Sequence, residues 1–101
     1  MPFVSANVEQ KLKQLGFMHA GLGMQLRIGR TKLQVVEGPM LMISISSFGP
    51  RAMCSYDVKC PTFCSKEQIA GLIYANMAMN FKQDADTFKA HLQSLGIPLF
   101  Q

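Results

Sequence analysis

Four segments of alternating apolar residues constrain the fold of this chain most, because the turns between them specify how the segments pair. Gly29 and Arg30 match a two-residue hairpin turn with glycine at its first position. A three-residue turn over 37–39 and a turn at 49–50 close the next two hairpins. A shift of one residue at any turn would move a strand's apolar set to the opposite face. The sequence therefore predicts a four-stranded antiparallel meander with one apolar face.

These turns also predict the neighbours of each residue across the sheet. On the apolar face the predicted rows are Met24–Val35–Leu41–Val58, Leu26–Leu33–Ile43–Tyr56 and Ile28–Thr31–Ile45–Cys54. On the opposite face they are Arg27–Lys32–Ser44–Ser55 and Gln25–Gln34–Met42–Asp57. The first set of rows needs helices to cover it.

A helix is predicted before the meander. Ser5 is a suitable N-cap, and Val8 and Leu12 begin an apolar stripe at helical spacing. Gly16 supplies the left-handed residue that ends many helices, so Phe17 is expected to fold back on Leu12. His19 is expected to lie in the loop that follows.

Two further helices are predicted after the meander. Ser65 and Gln68 form a capping box at the start of the first. The second is expected to begin near Asp84 or Asp86, both interpreted as caps, and to end at Gly96. The predicted fold is thus one α+β domain over residues 1–101. It has an N-terminal helix, a four-stranded antiparallel meander and two C-terminal helices packed on one face (α-β-β-β-β-α-α).

The composition favours binding over catalysis. Apolar residues make up 49% of the 101 residues and charged residues 16%, which is a low share for a small domain with much surface. No uncharged stretch approaches the roughly 18 residues of a membrane span, and the first residues lack the pattern of a signal peptide. Three cysteines are an odd number, so a reducing, cytoplasmic location is expected.

Residues able to carry chemistry are few. Cys60 and Cys64 are a marginal zinc-ligand pair without a second pair, and His91 lies on a predicted apolar helix stripe. Cys54 and Cys60 are interpreted as small buried residues, so no cofactor or metal is expected and the chain is not expected to be an enzyme. A thiol- or metal-dependent protein stays open as a second alternative, since Cys64 precedes a helix N-terminus, where the pKa of a thiol can fall.

Two thirteen-residue segments, 38–50 and 69–81, contain no charged residue. They suggest apolar surface that a partner covers, although burial of helix 69–81 within the monomer is an equal alternative. The candidate partner-binding residues are Met40, Met42, Met53, Tyr74, Met77 and Met79. The leading hypothesis is a non-catalytic, adaptor-type protein-binding module, homodimeric and binding a further protein. Small bacterial or phage chaperones, inhibitors and accessory proteins share this profile of size and missing catalytic motifs.

The net charge of +4 supports a different class of partner. Arg27 opposite Lys32 on the outer sheet face would attract an anion. The candidate anion- or nucleic-acid-binding residues are Arg27, Arg30, Lys32, Ser44, Arg51, Ser55 and Lys59. No aromatic residue is predicted in the outer rows, so stacking of bases on the sheet is not expected. A nucleic-acid-associated accessory protein is therefore the first alternative.

Overall fold

Over the part of the chain that the structure describes, five antiparallel strands form a single sheet in the order β1-β2-β3-β4-β5. The computed structural model describes residues 4–48 and 53–99, without the side chains of Phe48, Met53, Cys54 and Tyr56. Its elements are α1 (Ala6–Gln14), β1 (Met18–Ala20), β2 (Gly23–Ile28), β3 (Thr31–Glu37), β4 (Leu41–Phe48), β5 (Met53–Cys60), α2 (Lys66–Asn80) and α3 (Lys82–Ser94). The predicted α+β class, the N-terminal helix, the antiparallel meander and the two C-terminal helices are confirmed.

The sheet has one strand more than predicted, and this strand contains His19. β1 pairs with β2, with His19 opposite Met24. The expectation of a loop was therefore wrong, because a strand of three residues is too short to show alternation. His19 Nε2 lies 2.6 Å from Glu9 Oε1 on α1. The hydrogen bond from His19 and, to a smaller extent, the one from Lys13 lower the pKa of the Glu9 carboxyl.

The predicted register of the first hairpin is confirmed, and the other two differ by two residues. Ile28 pairs with Thr31 around the turn at Gly29 and Arg30. In the second hairpin Glu37 pairs with Leu41, and the turn is closed by the Gly38 N–H bonded to the Met40 carbonyl at 3.0 Å. In the third hairpin Ile45 pairs with Tyr56 instead of Cys54. The predicted turn at 49–50 lies outside the described residues.

A slip of two residues preserves the face of every side chain, so the predicted apolar face is correct while its rows change. The observed rows are Met24–Val35–Ile43–Val58, Leu26–Leu33–Ile45–Tyr56 and Ile28–Thr31–Ser47–Cys54. Leu41 lies instead beside Glu37 and Cys60 at the end of the sheet.

The helix boundaries follow the predicted capping residues at four of five sites. Ser5 caps α1, and the Ser65–Gln68 capping box starts α2. Gly16 has φ +97°, and the Phe17 N–H bonds to the Leu12 carbonyl at 2.9 Å, as predicted. Gly96 ends α3 in the same manner, with φ +73°.

The predicted caps of α3 were wrong. The helix begins at Lys82, so Asp84 lies in its first turn and Asp86 is an exposed residue further along. Asp84 Oδ2 accepts a hydrogen bond of 2.6 Å from the hydroxyl of Thr31, which is fully buried in the sheet. Asp84 therefore ties α3 to β3 and satisfies a buried hydroxyl.

One core lies between the sheet and the helices. Apolar residues from α1, α2 and α3 pack on the inner face of the sheet, and the largest fully buried side chains are Phe88, Leu12, Leu15, Met24, Leu33, Leu41, Ile43, Ile45, Ile69, Ile73, Met77 and Leu92. The alternatives for helix 69–81 are thus resolved in part, because its Ile69–Ile73–Met77 side is core while Ala75 and Met79 are exposed. Within residues 4–48 and 53–99, no helix has both the length and the apolar character that a membrane crossing requires.

Candidate interaction surface

The sheet face opposite the helices, here called the outer face, is uncovered along its described length. Its rows are Arg27–Lys32–Ser46–Ser55, Gln25–Gln34–Ser44–Asp57 and Val36–Met42–Lys59. Every one of these side chains is exposed or half-buried. An antiparallel sheet with one solvated face usually carries polar residues on that face. The apolar residues in these rows are therefore the ones that can indicate a binding surface.

Two predicted partner-binding residues lie together at the end of the outer face where the chain turns from β3 into β4. Met40 is 39% exposed and Met42 is 40% exposed. Together with Pro39 and Lys59 they line a shallow cavity of about 190 Å³. Pro39, Met40 and Met42 are called the methionine patch below. Its flexible thioether side chains can adapt to an apolar partner surface.

The other predicted partner-binding residues do not join this patch. Met77 is fully buried in the core and is unavailable to a partner of the folded chain. Tyr74 is half-buried against the same core, and Met79 is 82% exposed in the helix layer. Met53 pairs with Phe48 in the sheet, and its side chain lies outside the described part.

Sequence reasoning missed several exposed apolar residues. Met18 lies in the same outer-face row as Gln25, and Phe63 follows the last strand with 82% of its surface exposed. Met18 escaped notice because its strand was not predicted. Phe63 lies in the five-residue loop between β5 and α2, where no periodicity separates an exposed aromatic side chain from a buried one.

The predicted basic row is confirmed at three of its four positions, because Arg27, Lys32 and Ser55 share one row in which Ser46 takes the place expected for Ser44. Arg27 and Lys32 lie directly opposite each other, and neither forms an ion pair within the described residues. Ser44, however, lies beside Gln34 and Asp57, and its hydroxyl donates to Asp57 Oδ1 at 2.9 Å. Its expected place in the basic row was wrong because the second hairpin is shifted by two residues.

Of the remaining candidates for anion binding, Ser55 shares the row of Arg27 and Lys32, and Arg30 lies outside it. The Ser55 hydroxyl lies 3.1 Å from that of Ser46, so one of the two donates a hydrogen bond to the other. Arg30 lies at the tip of the β2–β3 hairpin, in a cleft of about 610 Å³ that also contains Lys82 and Asp84. Arg51 lies outside the described residues. Because the charge of Asp84 is opposite to that of Arg30 and Lys82, this cleft contains both positive and negative side chains.

The cysteine and histidine candidates take part in the packing of the core and in contacts between elements. Cys60 is 5% exposed, and burial, with a further contribution from the neighbouring Cys64 thiol, raises its pKa to about 11. The Cys60 thiol is therefore protonated at neutral pH and is a weak nucleophile. Lys11 Nζ donates to the Cys64 carbonyl at 2.9 Å and joins α1 to the loop before α2.

His91 links two helices. Its Nε2 lies 2.9 Å from the Leu15 carbonyl, which can only accept, so this nitrogen carries the proton. The ring also stacks near Phe88, with centroids 6.3 Å apart. Among the described residues, no three His, Cys, Asp or Glu side chains gather as a metal site.

No protein-family model, curated protein or solved structure matches this chain. The function proposed below therefore rests on the residues of the outer face alone.

Proposed function

We propose that this chain is a non-catalytic protein-binding module and that the methionine patch is the centre of its binding surface. The observation that carries the proposal is the exposure of Met40 and Met42 on a sheet face that no described element covers. Each methionine leaves apolar surface in water that a protein partner would bury with a gain of roughly 25 cal/mol per Å².

The surroundings of the patch fit this role. Val36 flanks Met42 on β3, and Lys59 flanks it on β5. Asp57 and Ser44 follow in the next row. An apolar centre with a charged and hydroxyl margin is the usual arrangement of a non-obligate protein interface, in which the margin adds specificity and the centre adds most of the affinity.

Photo-crosslinking tests the location of the surface. A chain carrying p-benzoylphenylalanine in place of Met42 is irradiated in lysate of its native host, and adducts are identified by mass spectrometry. We expect one protein to be captured from position 42, and we expect Met40→Glu to remove at least about nine-tenths of that adduct, as loss of a central interface contact does.

Substitution at Met79 is the matched control, because Met79 is also an exposed methionine but lies in the helix layer. The probe at position 79 should not capture the same protein, and Met79→Glu should leave the adduct at position 42 intact. Capture from position 79 alone, or an adduct indifferent to Met40→Glu, contradicts the proposed surface.

We propose nucleic-acid binding as the second candidate, supported by Arg27 and Lys32, which face each other without an ion-pair partner among the described residues. Fluorescence anisotropy with a single-stranded oligonucleotide should then show affinity that falls steeply between about 50 and 200 mM salt. The double variant Arg27→Glu/Lys32→Glu should weaken binding at least roughly tenfold. The variant Lys13→Glu/Lys89→Glu makes the same change of net charge, but on the helices. An equal loss of oligonucleotide affinity in this variant would reject the outer face as the site.

A further inference from the structure

β5 is an unprotected edge of the sheet. It is the last strand in the order, has eight residues and pairs with β4 on one side only. Over the described residues, no further strand or backbone hydrogen bond occupies its other side. The free N–H and C=O groups of such an edge accept another strand by antiparallel or parallel pairing. The opposite edge, β1, has only three residues.

The charges of β5 are arranged symmetrically about Val58. Asp57 and Lys59 flank it, and both are exposed on the outer face. Within the chain Asp57 is opposite Ser44, and Lys59 is opposite Met42. Lys59 forms no ion pair in the described part of the molecule. β5 thus presents one positive and one negative side chain, two residues apart, along a free edge.

This arrangement complements itself. When two copies of β5 pair antiparallel about a two-fold axis at Val58, Asp57 lies opposite Lys59 of the second copy, and the same contact occurs twice. An axis at Asp57 would instead oppose two carboxylates, which destabilises a strand pair. An axis at Tyr56 would leave both charges unmatched. Of these three registers, only the axis at Val58 pairs both charges.

We propose that two copies of this chain associate through their β5 edges, antiparallel about a two-fold axis at Val58. The two five-stranded sheets then form one continuous sheet of ten strands. Across the junction, Met42 and Lys59 of one copy are followed by Asp57 and Ser44 of the other. Edge pairing leaves the outer face open, so this association does not depend on the proposed partner binding and places two methionine patches on one sheet.

Sedimentation velocity over a range of concentrations, at low ionic strength, tests the pairing. The unmodified chain should form a dimer. Lys59→Glu opposes two acidic side chains at both contacts and should raise the dimer Kd at least about tenfold. The double variant Asp57→Lys/Lys59→Glu restores opposite charges in the same register, and it should recover most of the lost affinity.

Lys82→Glu is the control, because it makes the same charge change at an exposed residue of α3. It should leave the dimer Kd within about twofold, as a distant surface charge does in screened solvent. Backbone amides of residues 56–60 should also exchange more slowly at high than at low protein concentration, a readout that does not depend on any variant.

Two results would overturn the proposal. One is a chain that stays monomeric up to about 1 mM. The other is a dimer in which Lys59→Glu has no larger effect than Lys82→Glu, or in which the double variant is no better than Lys59→Glu. Met40→Gln separates this inference from the proposed function, because it removes an apolar contact of the methionine patch without adding a charge near Lys59. It should reduce partner capture from position 42 and leave the dimer Kd unchanged.

Discussion

Replacing Met77 by lysine is expected to unfold the domain, whereas the same replacement of Met79, two residues later, is expected to change stability by less than about 0.5 kcal/mol. Met77 is fully buried among the core residues, and Met79 is 82% exposed. Removing a buried methionine side chain costs about 2–5 kcal/mol. Burying an unpaired ammonium adds several more. Their sum is comparable to the whole stability of a small domain, about 5–15 kcal/mol.

Circular dichroism during thermal and urea unfolding measures this difference. Met77→Lys should lack a cooperative transition at 25 °C, and Met79→Lys should superimpose on the unmodified chain. Met77→Ala supplies a variant that still folds, with an expected loss of about 2–5 kcal/mol. A Met77→Ala variant as stable as Met79→Ala would show that this side of α2 does not belong to the core.

This pair of methionines also shows where sequence reasoning about the surface fails. A helix usually reveals its buried side by the contrast between an apolar and a charged face. The segment 69–81 has no charge, so its periodicity predicts a helix without orienting it. Met77 and Met79 were both plausible contacts for a partner, and only the packing of the three helices on the sheet separates them.

The register of the sheet was predictable at the first hairpin but not at the second. A two-residue turn admits one register, and the hairpin around Gly29 and Arg30 was therefore correct. Gly38 and Pro39 mark the neighbourhood of a turn without specifying its closing pair, so the next strand was misplaced by two residues. Such a slip leaves the predicted apolar face correct but changes the neighbours of each residue across the strands. Ser44 consequently belongs with Asp57 instead of Lys32.

Contacts between elements distant in sequence were not predictable. Asp84 and Thr31 are 53 residues apart, and their hydrogen bond depends on where α3 crosses the end of the sheet. An acidic residue near a helix start is explained equally well as a cap, so its sequence position alone does not reveal the contact with Thr31. The β1 edge of the sheet likewise gave no signal in the sequence, whereas a meander of consecutive strands leaves its last strand, β5, at the other edge.

Adding one methyl group at Gly23 is expected to destabilise the domain by about 3 kcal/mol, toward the upper end of the cost of overpacking. A Cβ at Gly23 would lie 2.2 Å from the Val35 carbonyl oxygen and 3.0 Å from Val36 Cγ2. The first contact is with the backbone of β3, which cannot rotate away as a side chain can. β2 would have to separate from β3 at the end where Gly23 also pairs with Ala20 of β1.

Gly21→Ala is the matched control for Gly23→Ala. Gly21 has φ +59°, and a methyl group added there would meet no atom within 4 Å, so its substitution brings only the left-handed strain of about 1 kcal/mol. Urea unfolding at 25 °C should place Gly23→Ala well below Gly21→Ala in stability. Hydrogen exchange should localise the loss to β1 and β2. Equal effects of the two substitutions would contradict the close approach of β2 to β3, because Gly23 has no positive φ and its contact with Val35 would then cost no more than the backbone strain at Gly21.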